Sequence, residues 1–422
     1  MQLKFFFEHA TALLREVFQW QSPADACVAN YVKAHRTLGA RDRAMLADVV
    51  FTVLRHRLHW ESLAKQSPWD RWSSLAILGS REQASEWANE MTAEQVAWLV
   101  KAQAMDPNAS DLPLDQRWNL PHWLIERLRA QGVEDMPALA QALNQTAPVD
   151  LRANVQRVKR DKLLREMQAA GWDVCATPLS PWGIRMQKRR ALAQTDWFKA
   201  GDLEAQDEGS QLLAWLVGAK RGEVIADFCA GAGGKALAMG AAMRGQGRLY
   251  AIDTSAHRLE GLRPRMARSG LQEIYSLAIA DEHDSRLNAL HGRMNRVLVD
   301  APCSGLGTIR RSPELKWRVQ PDDIESLARQ QFSILSSAAR LVKEQGRLVY
   351  ATCSLLREEN EAIAQRFDTE HSDFVRVSVD DLMKSLVKDE ATRNSMLSEG
   401  GLRLWPQIHG TDGFFAAVWE RR

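Results

Sequence analysis

The sequence predicts a multidomain protein that combines an all-α region with an α/β region, and three observations support this. In residues 1–145, apolar side chains recur at helical spacing without an alternating strand pattern. Residues 146–202 mix short strand-like and helix-like stretches and carry 11 Lys and Arg against 6 Asp and Glu. In residues 203–422, apolar runs alternate with polar loops and helical stretches, which is typical of a doubly wound, mainly parallel sheet.

The first region, residues 1–145, is predicted to be a bundle of short helices. Apolar side chains follow helical spacing between Phe6 and Phe18 and again between Leu46 and Leu54. Proline interrupts these patterns because it lacks a backbone donor and ends helices. The predicted breaks are Ser22-Pro23, Ser67-Pro68, Asp106-Pro107 and Leu112-Pro113.

The second region, residues 146–202, is predicted to be a small α+β domain with a basic surface. Strand-like stretches are Val149–Val155, Trp172–Cys175 and Gly183–Gln187, and Asp161–Ala170 has the pattern of an amphipathic helix. A positive excess in so short a segment is what a polyanion partner would select. A solvated surface without a ligand is an equally open interpretation of the charge alone.

The third region, residues 203–422, contains the apolar runs expected of a buried sheet. Helical stretches such as Ala256–Ser269 and Pro321–Leu341 alternate with them. Ligands of doubly wound sheets bind outside the carboxyl ends of the strands, so the loops after these runs are the candidate sites. The four runs are Glu223–Phe228, Arg248–Ile252, Arg296–Val299 and Arg347–Ala351.

A glycine-rich loop from Asp227 to Lys235 follows the first of these strands. Glycines at such a junction let the backbone approach a ligand and aim helix N-terminal amides at it. Asp253 ends the next strand, 22 residues after Gly231, where a carboxylate would accept hydrogen bonds from ribose hydroxyls. The two features predict an adenosine-bearing cofactor. NAD stays open because the loop fits G-x-G-x-x-A, whereas a P-loop fails for want of Ser or Thr after Lys235.

Two further loops place a cysteine just after a strand: Cys303 in Asp300-Ala301-Pro302-Cys303-Ser304 and Cys353 in Thr352-Cys353-Ser354. Either cysteine alone is more simply an inert, packed residue. A pair of them with an aspartate on the same face fits methylation of cytosine C5. A thiolate that adds to C6 makes C5 nucleophilic enough to take a methyl group. A carboxyl group near N3 would orient the ring and stabilise the charge that develops.

These motifs resemble those of the RNA cytosine-C5 methyltransferase family, which binds S-adenosylmethionine on a Rossmann-like domain. The resemblance covers residues 145–422 and includes Gln206–Gln211, Lys316-Trp317 and Asp412–Phe415. The motifs Leu38–Arg43 and Val53–Arg55 are similar to the NusB-like RNA-binding domain of one branch, the bacterial methyltransferases of small-subunit 16S rRNA. The resemblance therefore implies 5-methylcytosine formation in rRNA.

The resemblance also implies a role for each matching position. Cys353 would be the nucleophile, Cys303 would assist product release, and Asp300 would serve both catalysis and cofactor binding. The family loop usually reads Cys-Ala-Ala-Pro-Gly-Gly-Lys, and the absence of proline here predicts a more flexible turn and weaker cofactor binding. The cofactor contacts would be Cys229, Ala230, Gly231, Ala232, Gly233, Gly234, Lys235, Asp253, Asp281 and Asp300.

Several other kinds of site and location are disfavoured by the sequence. No apolar stretch reaches the roughly 18 residues of a membrane span, and five cysteines without a CxxC pair do not indicate a disulfide scaffold. The run Asp281–Asp284 is interpreted as a solvated loop and not as a metal site, since adjacent side chains point in different directions. We expect a cytoplasmic protein without a metal or membrane partner, and a monomer is favoured.

Three alternatives stay open: a tRNA cytosine-C5 methyltransferase, a non-catalytic NusB-like RNA-binding protein, and an NAD oxidoreductase that would leave both cysteine loops unexplained. Two further expectations concern particular segments. Arg310 and Arg311, close to Cys303 in sequence, are predicted phosphate contacts. A fragment that lacks residues 1–145 is expected to fold without them.

Overall fold

The computed structural model describes residues 3–80, 91–106 and 109–422, so that the predicted break at Pro107 lies outside the described residues. The chain forms two compact units. The first consists of Met1–Thr146 and Thr308–Pro321, and the second of Ala147–Gly307 and Asp322–Arg422. A short segment from the middle of the α/β region therefore belongs to the helical unit.

The first unit is built from helices, as the apolar spacing predicts. Leu13, Leu14, Leu46, Leu54 and Trp60 are almost completely buried in its core. Side-chain caps fix several of the helix starts, because they satisfy amides that have no partner within the helix. The helices are Leu3–Val17, Ala24–Ala34, Ala40–Ala64, Arg71–Gly79, Ala93–Ala104, Leu114–Trp118, His122–Ala130, Met136–Asn144 and Leu315–Arg318.

The segment Thr308–Pro321 is held in the helical unit by buried side chains. Trp317 is 9% exposed, lies in the helical core and donates a hydrogen bond from Nε1 to the carbonyl of Leu54 at 2.8 Å. Glu314 is buried and accepts a hydrogen bond from the amide of Ala24 at 3.3 Å. Arg310 is also buried, which contradicts its predicted role as a surface phosphate contact.

The second unit begins with a small antiparallel sheet in the order β2-β3-β1-β4. The helix Arg160–Ala169 packs on it, and Leu151, Leu163 and Ile184 are fully buried between them. The predicted strands and helix of this region are confirmed with bounds shifted by a few residues. The strands are β1 (Val149–Ala153), β2 (Val174–Ala176), β3 (Gly183–Met186) and β4 (Leu203–Ala205).

The large sheet of the second unit has the order β11-β12-β13-β9-β8-β5-β6-β7, and β10 pairs with β13. The strands β5 to β9 are parallel, so that their carboxyl ends share one edge. After β5 the chain adds β6 and β7 on one side of it, and then crosses over to add β8 and β9 on the other side. Ligands of such sheets bind at the carboxyl edge of the strands, at the point where the strand order reverses. The strands are β5 (Val224–Asp227), β6 (Arg248–Asp253), β7 (Ile274–Ala278), β8 (Met294–Asp300), β9 (Val342–Thr352), β10 (Phe374–Arg376), β11 (Leu397–Ser398), β12 (Gly401–Leu404) and β13 (Phe414–Arg421).

Helices cover both faces of this sheet. None of the described helices is long and apolar enough to cross a membrane. Apart from Arg160–Ala169, the helices of the second unit are Asp196–Ala200, Glu208–Val217, Gly234–Ala242, Ala256–Glu260, Leu262–Ser269, Pro321–Ala339, Glu361–Glu370, Val379–Met383, Glu390–Ser395 and Pro406–His409.

Two features of the α/β region, one in the sheet and one in a helix, differ from the sequence prediction. The sheet is mixed, because β13 pairs antiparallel with both β9 and β12. The predicted helix Ala256–Ser269 is divided at Gly261 into two helices. Pro264 has no amide proton to donate to the carbonyl of Glu260, which removes the bond that would join the two turns.

Candidate active site

The glycine-rich loop connects β5 to the helix that begins at Gly234. Gly233 has a φ of +80°, and a Cβ there would lie 2.2 Å from Cδ1 of Leu262, so that a larger residue does not fit. The amide of Gly231 donates a hydrogen bond to Oδ2 of Asp253 at 2.7 Å. The loop is thus fixed to the end of the neighbouring strand by the carboxylate that the sequence predicts as a ribose ligand.

A cleft of about 500 Å³ opens at the carboxyl edge of the parallel strands. It brings together six of the predicted site residues, which come from the carboxyl ends of five different strands, β5 to β9. The loop residues Ala230, Gly231, Ala232, Gly233 and Gly234 are not part of its lining. The predicted residues that line it are Cys229, Asp253, Asp281, Asp300, Cys303 and Cys353, and the other lining residues include Arg258, Glu282 and Gln330.

The two cysteines predicted to be catalytic are direct neighbours in this cleft. The Sγ atoms of Cys303 and Cys353 lie 3.3 Å apart, and both thiols are free. The hydrogen bond with Cys353 and burial raise the pKa of Cys303 well above its usual value. Cys303 therefore stays protonated at neutral pH and can donate its S–H proton toward Cys353.

Lys235 and Asp300 form an ion pair on the same edge, with 2.6 Å between Nζ and Oδ2. Burial alone would lower the pKa of Lys235, but the charges of Asp300 and Cys353 raise it above the usual lysine value. Lys235 thus remains a cation close enough to interact electrostatically with Cys353. The cleft therefore has a fixed positive charge beside the predicted nucleophile.

Asp227, the last residue of β5, is a buried carboxyl group that sequence reasoning assigned no role. It is 1% exposed, and no side chain among the described residues donates a hydrogen bond to it. Burial and the nearby Asp300 carboxylate raise the pKa of Asp227 to about 7. Its position just before the glycine loop was visible in the sequence, but its burial was not.

Glu359 forms a second buried centre that the sequence analysis missed. It is 0% exposed and accepts hydrogen bonds from the amide of Ser304 at 2.8 Å and from its hydroxyl at 2.6 Å. The hydroxyl of Ser354 donates to the same carboxylate, and Nε2 of Gln331 donates to it at 2.9 Å. One carboxylate thus fixes the residues that directly follow both cysteines. The acidic run Glu358-Glu359 after the Thr-Cys-Ser motif was the only available signal.

Gly307 joins the two cysteine loops through the backbone. Its amide donates to the carbonyl of Cys353 at 2.8 Å, and its carbonyl accepts from the amide of Gly413 at 2.9 Å. A Cβ at Gly307 would lie 2.1 Å from the carbonyl oxygen of Gly413. The close approach of three chain segments therefore depends on glycine at this position.

The acidic run after β7 contributes Asp281 and Glu282 to the cleft lining, and its side chains diverge. Oδ1 of Asp281 accepts a hydrogen bond from the amide of His283, Glu282 accepts one from Ser333, and Asp284 pairs with Arg286. No group of three or more His, Cys, Asp or Glu in the described part of the chain is arranged to hold a metal ion. Asp281 remains in the cleft lining, where a cofactor contact was predicted.

Comparison with known proteins identifies two matching family models. The family described as "16S rRNA methyltransferase RsmB/F" matches residues 214–420, and a ferredoxin-like domain of RsmF/B-type methyltransferases matches residues 120–193. The chain is 34% identical over 303 residues to a probable ribosomal RNA small subunit methyltransferase B of Bacillus subtilis. It is 32% identical over 308 residues to the probable enzyme of that name from Synechocystis. The alignments cover 72% of this chain and about two thirds of the relatives, 66% and 68% respectively.

Two solved structures are similar in fold. The protein designated PH0851 is 25% identical with a TM-score of 0.78, and the match covers 99% of this chain and 98% of that chain. A methyltransferase homolog protein from Pyrococcus horikoshii is 26% identical with a TM-score of 0.61, covering 73% of this chain and 97% of that chain. Sequence and fold agree that the chain belongs to the 16S rRNA methyltransferase RsmB/F family, whose methyl donor is S-adenosylmethionine.

Proposed function

We propose that this chain methylates C5 of a cytosine in small-subunit rRNA through a covalent bond between Cys353 and C6. The observation that carries the proposal is the pair of thiols 3.3 Å apart in a cleft that also contains Asp253 and Asp281. Hydride transfer to or from NAD requires neither thiol, so an NAD oxidoreductase would leave both cysteine loops unexplained. The names of the relatives, which are small-subunit rRNA methyltransferases, support rRNA as the substrate.

The cleft contains the groups that a nucleoside-bearing methyl donor needs. S-adenosylmethionine supplies a methyl group on a positively charged sulfur when it is bound. Asp253 would accept hydrogen bonds from the ribose hydroxyls with the lone pairs that Gly231 and Ser255 leave unused. Asp281 would contact the adenosine end, and the carboxylates of the cleft favour a cationic ligand.

Cys353 would begin the reaction as a thiolate, which Lys235 and the S–H group of Cys303 stabilise. Its sulfur forms a bond to C6 of the cytosine, and the electrons of the C5–C6 double bond move to C5. C5 then takes the methyl group, and the electron pair of the broken carbon–sulfur bond stays on the sulfur of the donor. Asp300 would accept a hydrogen bond from the exocyclic amine, and the Lys235 cation paired with it would offset the negative charge that develops on the ring.

Product release restores both cysteines to their starting state. A base removes the C5 proton, the double bond forms again, and the bond between Cys353 and C6 breaks with its electrons returning to sulfur. Cys303 would assist this step by donating a hydrogen bond to the departing sulfur, for which its raised pKa keeps a proton available. The target base must be unpaired or flipped out to reach Cys353.

We also propose a division of labour among three domains, residues 1–145, 146–202 and 203–422. The helical part would be a NusB-like RNA-binding domain, and the small sheet would hold the RNA backbone. Lys188, Arg189 and Arg190 are exposed beside it, and the Arg190 guanidinium lies 5.3 Å from the ring centroid of Trp172. Such a cation and aromatic pair is suited to phosphate and base contacts. We infer a cytoplasmic location, since the substrate would be ribosomal RNA, and we expect a monomer.

Methyl transfer from radiolabelled S-adenosylmethionine to small-subunit rRNA and to bulk tRNA tests the proposal directly. We expect labelled 5-methylcytosine in rRNA with the wild-type protein and none with Cys353→Ala. Cys175→Ala, which changes a cysteine of the small sheet, is the matched control and should retain full activity. Labelling of tRNA alone would replace rRNA by tRNA as the substrate, and labelling of neither would favour a non-catalytic RNA-binding protein.

A further inference from the structure

The helical unit contains a second cleft, of about 570 Å³, that the proposed chemistry does not use. Its size is within the range of cavities that enclose small organic ligands. The wall is formed by the residues around His56, by the short helix Leu114–Trp118, and by the helix Met136–Asn144. The lining residues are His56, Arg117, Trp118, Asn119, Pro137, Ala138, Ala140, Gln141, Asn144 and Gln145.

A buried lysine, Lys316, holds the walls of this cleft in place. Its Nζ donates to the carbonyl of Arg55 at 2.9 Å, to the carbonyl of Asn119 at 2.7 Å and to Oδ1 of Asn144 at 2.6 Å. Burial and the charges of Arg55 and Arg57 lower the pKa of Lys316 well below its usual value. Donation to three oxygens uses all three N–H bonds of the ammonium form. Three segments that are distant in sequence are thereby tied to one atom.

The same contacts open the helix Ala40–Ala64 at the edge of the cleft. In a regular helix the amide of His59 would bond to the carbonyl of Arg55. Here that carbonyl accepts from Lys316, while the His59 amide donates to Oδ1 of Asn119 at 3.2 Å. The backbone at His56 consequently leaves the helical region, with φ of −110° and ψ of 19°. Insertion of a side chain into the helical ladder explains this kink, which places His56 in the cleft wall.

The lining has the chemistry of a nucleotide site. Arg117 supplies a guanidinium whose Nε is buried and meets no acceptor among the described residues. None of the ten lining residues, all of which the structure describes, is an Asp or a Glu. Asn and Gln amides offer paired donors and acceptors to base edges, and Trp118 and His56 offer aromatic surface. Apart from Trp118, the apolar part of the wall consists of Ala and Pro, which is too small a surface to anchor a protein helix.

We propose that this cleft binds one unpaired nucleotide of the RNA substrate, with its phosphate at Arg117 and its base among the amide side chains. The inference rests on the proposed function, because it takes rRNA as the source of the nucleotide. Lys316 follows Cys303 by 13 residues, so the connection between β8 and the helix Pro321–Ala339 carries a catalytic cysteine and also the lysine that shapes the cleft. The cleft would thus hold the RNA in register at a second point besides the target cytosine.

Binding of a fluorescein-labelled, single-stranded fragment of small-subunit rRNA to the full-length protein tests the inference. We expect Arg117→Gln to weaken binding about tenfold and to reduce the slope of log affinity against log salt by about one. Gln141→Ala should weaken binding of the single strand without changing that slope. Arg36→Gln removes the same charge from an exposed position of the same unit and should leave affinity within about twofold.

Two further measurements separate this inference from the proposed function. The same fragment annealed to its complement should bind wild type and Arg117→Gln equally, because a paired nucleotide cannot enter the cleft. A 4-thiouridine probe should crosslink to peptides that contain residues 114–118 or 136–144. If the wild-type protein methylates rRNA but Arg117→Gln binds the fragment as tightly as wild type does, the cleft assignment is wrong and the proposed function stands. The same holds if the wild-type protein methylates rRNA but gives no such crosslink. Failure of the wild-type protein to bind or methylate any RNA would overturn both.

Discussion

Cys303 and Cys353 have adjacent sulfur atoms but different expected roles, and substitution separates them. With Cys303→Ala, the bond between Cys353 and C6 should still form but break slowly, because the S–H donor to the departing sulfur is missing. A covalent protein–RNA complex should accumulate as a slow band on a denaturing gel. Cys353→Ala and the double variant should give no such band. A band with Cys353→Ala and none with Cys303→Ala would exchange the two assignments.

Asp227 is expected to make the stability of the second unit depend on pH. Its folded pKa of about 7 lies above the usual value of 3.8, so the folded state binds the proton more tightly. The resulting stabilisation is complete below about pH 3.8 and is lost as pH rises through about 7. Asp227→Asn cannot titrate, so wild type should lose about 2–3 kcal/mol of unfolding free energy relative to this variant between pH 5 and pH 8.

Denaturant unfolding of the cofactor-free protein at the two pH values measures this difference. Asp173→Asn changes an exposed aspartate of the same unit and should follow the wild-type pH dependence. An equal pH dependence in wild type and Asp227→Asn would show that the Asp227 carboxyl group titrates near its ordinary value in the folded protein.

At the scale of elements, the loops that carry Cys303 and Cys353 are expected to keep one fixed arrangement because Gly307 connects them through backbone hydrogen bonds. A methyl group at this position would meet the Gly413 carbonyl at 2.1 Å and the Cys353 carbonyl at 2.7 Å. Gly307→Ala should therefore displace the Cys353 loop, lower the melting temperature by several degrees and reduce methyl transfer at least tenfold, while binding of S-adenosylmethionine changes little. Calorimetry and a turnover assay measure the two effects. Gly292→Ala strains the backbone at a φ of +64° but meets open space, so it controls for a loss of stability and should leave turnover unchanged. Wild-type turnover in Gly307→Ala would mean that the two loops function independently.

The strand ends that form the site were predictable, and the way they are joined was not. Apolar runs followed by Asp253, Asp300 and Cys353 are local patterns, so the sequence indicates both the strands and the face their loops share. The burial of Asp227 and Glu359 depends on neighbours more than 20 residues away, which no local pattern encodes. The antiparallel strand β13 was missed for the same reason, since its partners β9 and β12 are fixed by long-range pairing.

At the scale of the whole molecule, the return of Thr308–Pro321 to the helical unit changes what a truncation should do. The sequence led us to expect that a fragment lacking residues 1–145 folds unaided. In the structure, Trp317 is buried in the helical core, and all three acceptors of Lys316 lie between residues 55 and 144. Removing the helices would expose an indole and take away all three acceptors of the Lys316 amine. The fragment Ala147–Arg422 is therefore expected to be poorly soluble and prone to aggregate.

Trp317→Ser provides a test of this idea, because its effect should reverse sign between the two contexts. In the full chain it removes a core side chain and its hydrogen bond to Leu54, which should cost about 3–5 kcal/mol of unfolding free energy. In the fragment Ala147–Arg422 the same change removes exposed apolar surface, so the soluble yield should rise and the melting temperature should not fall. Trp182→Ser, at a half-buried tryptophan of the second unit, should destabilise both forms and is the control. If Trp317→Ser lowers the melting temperature of the fragment as much as that of the full chain, the indole is supported by the second unit, and residues 308–321 do not depend on the helical unit for their fold.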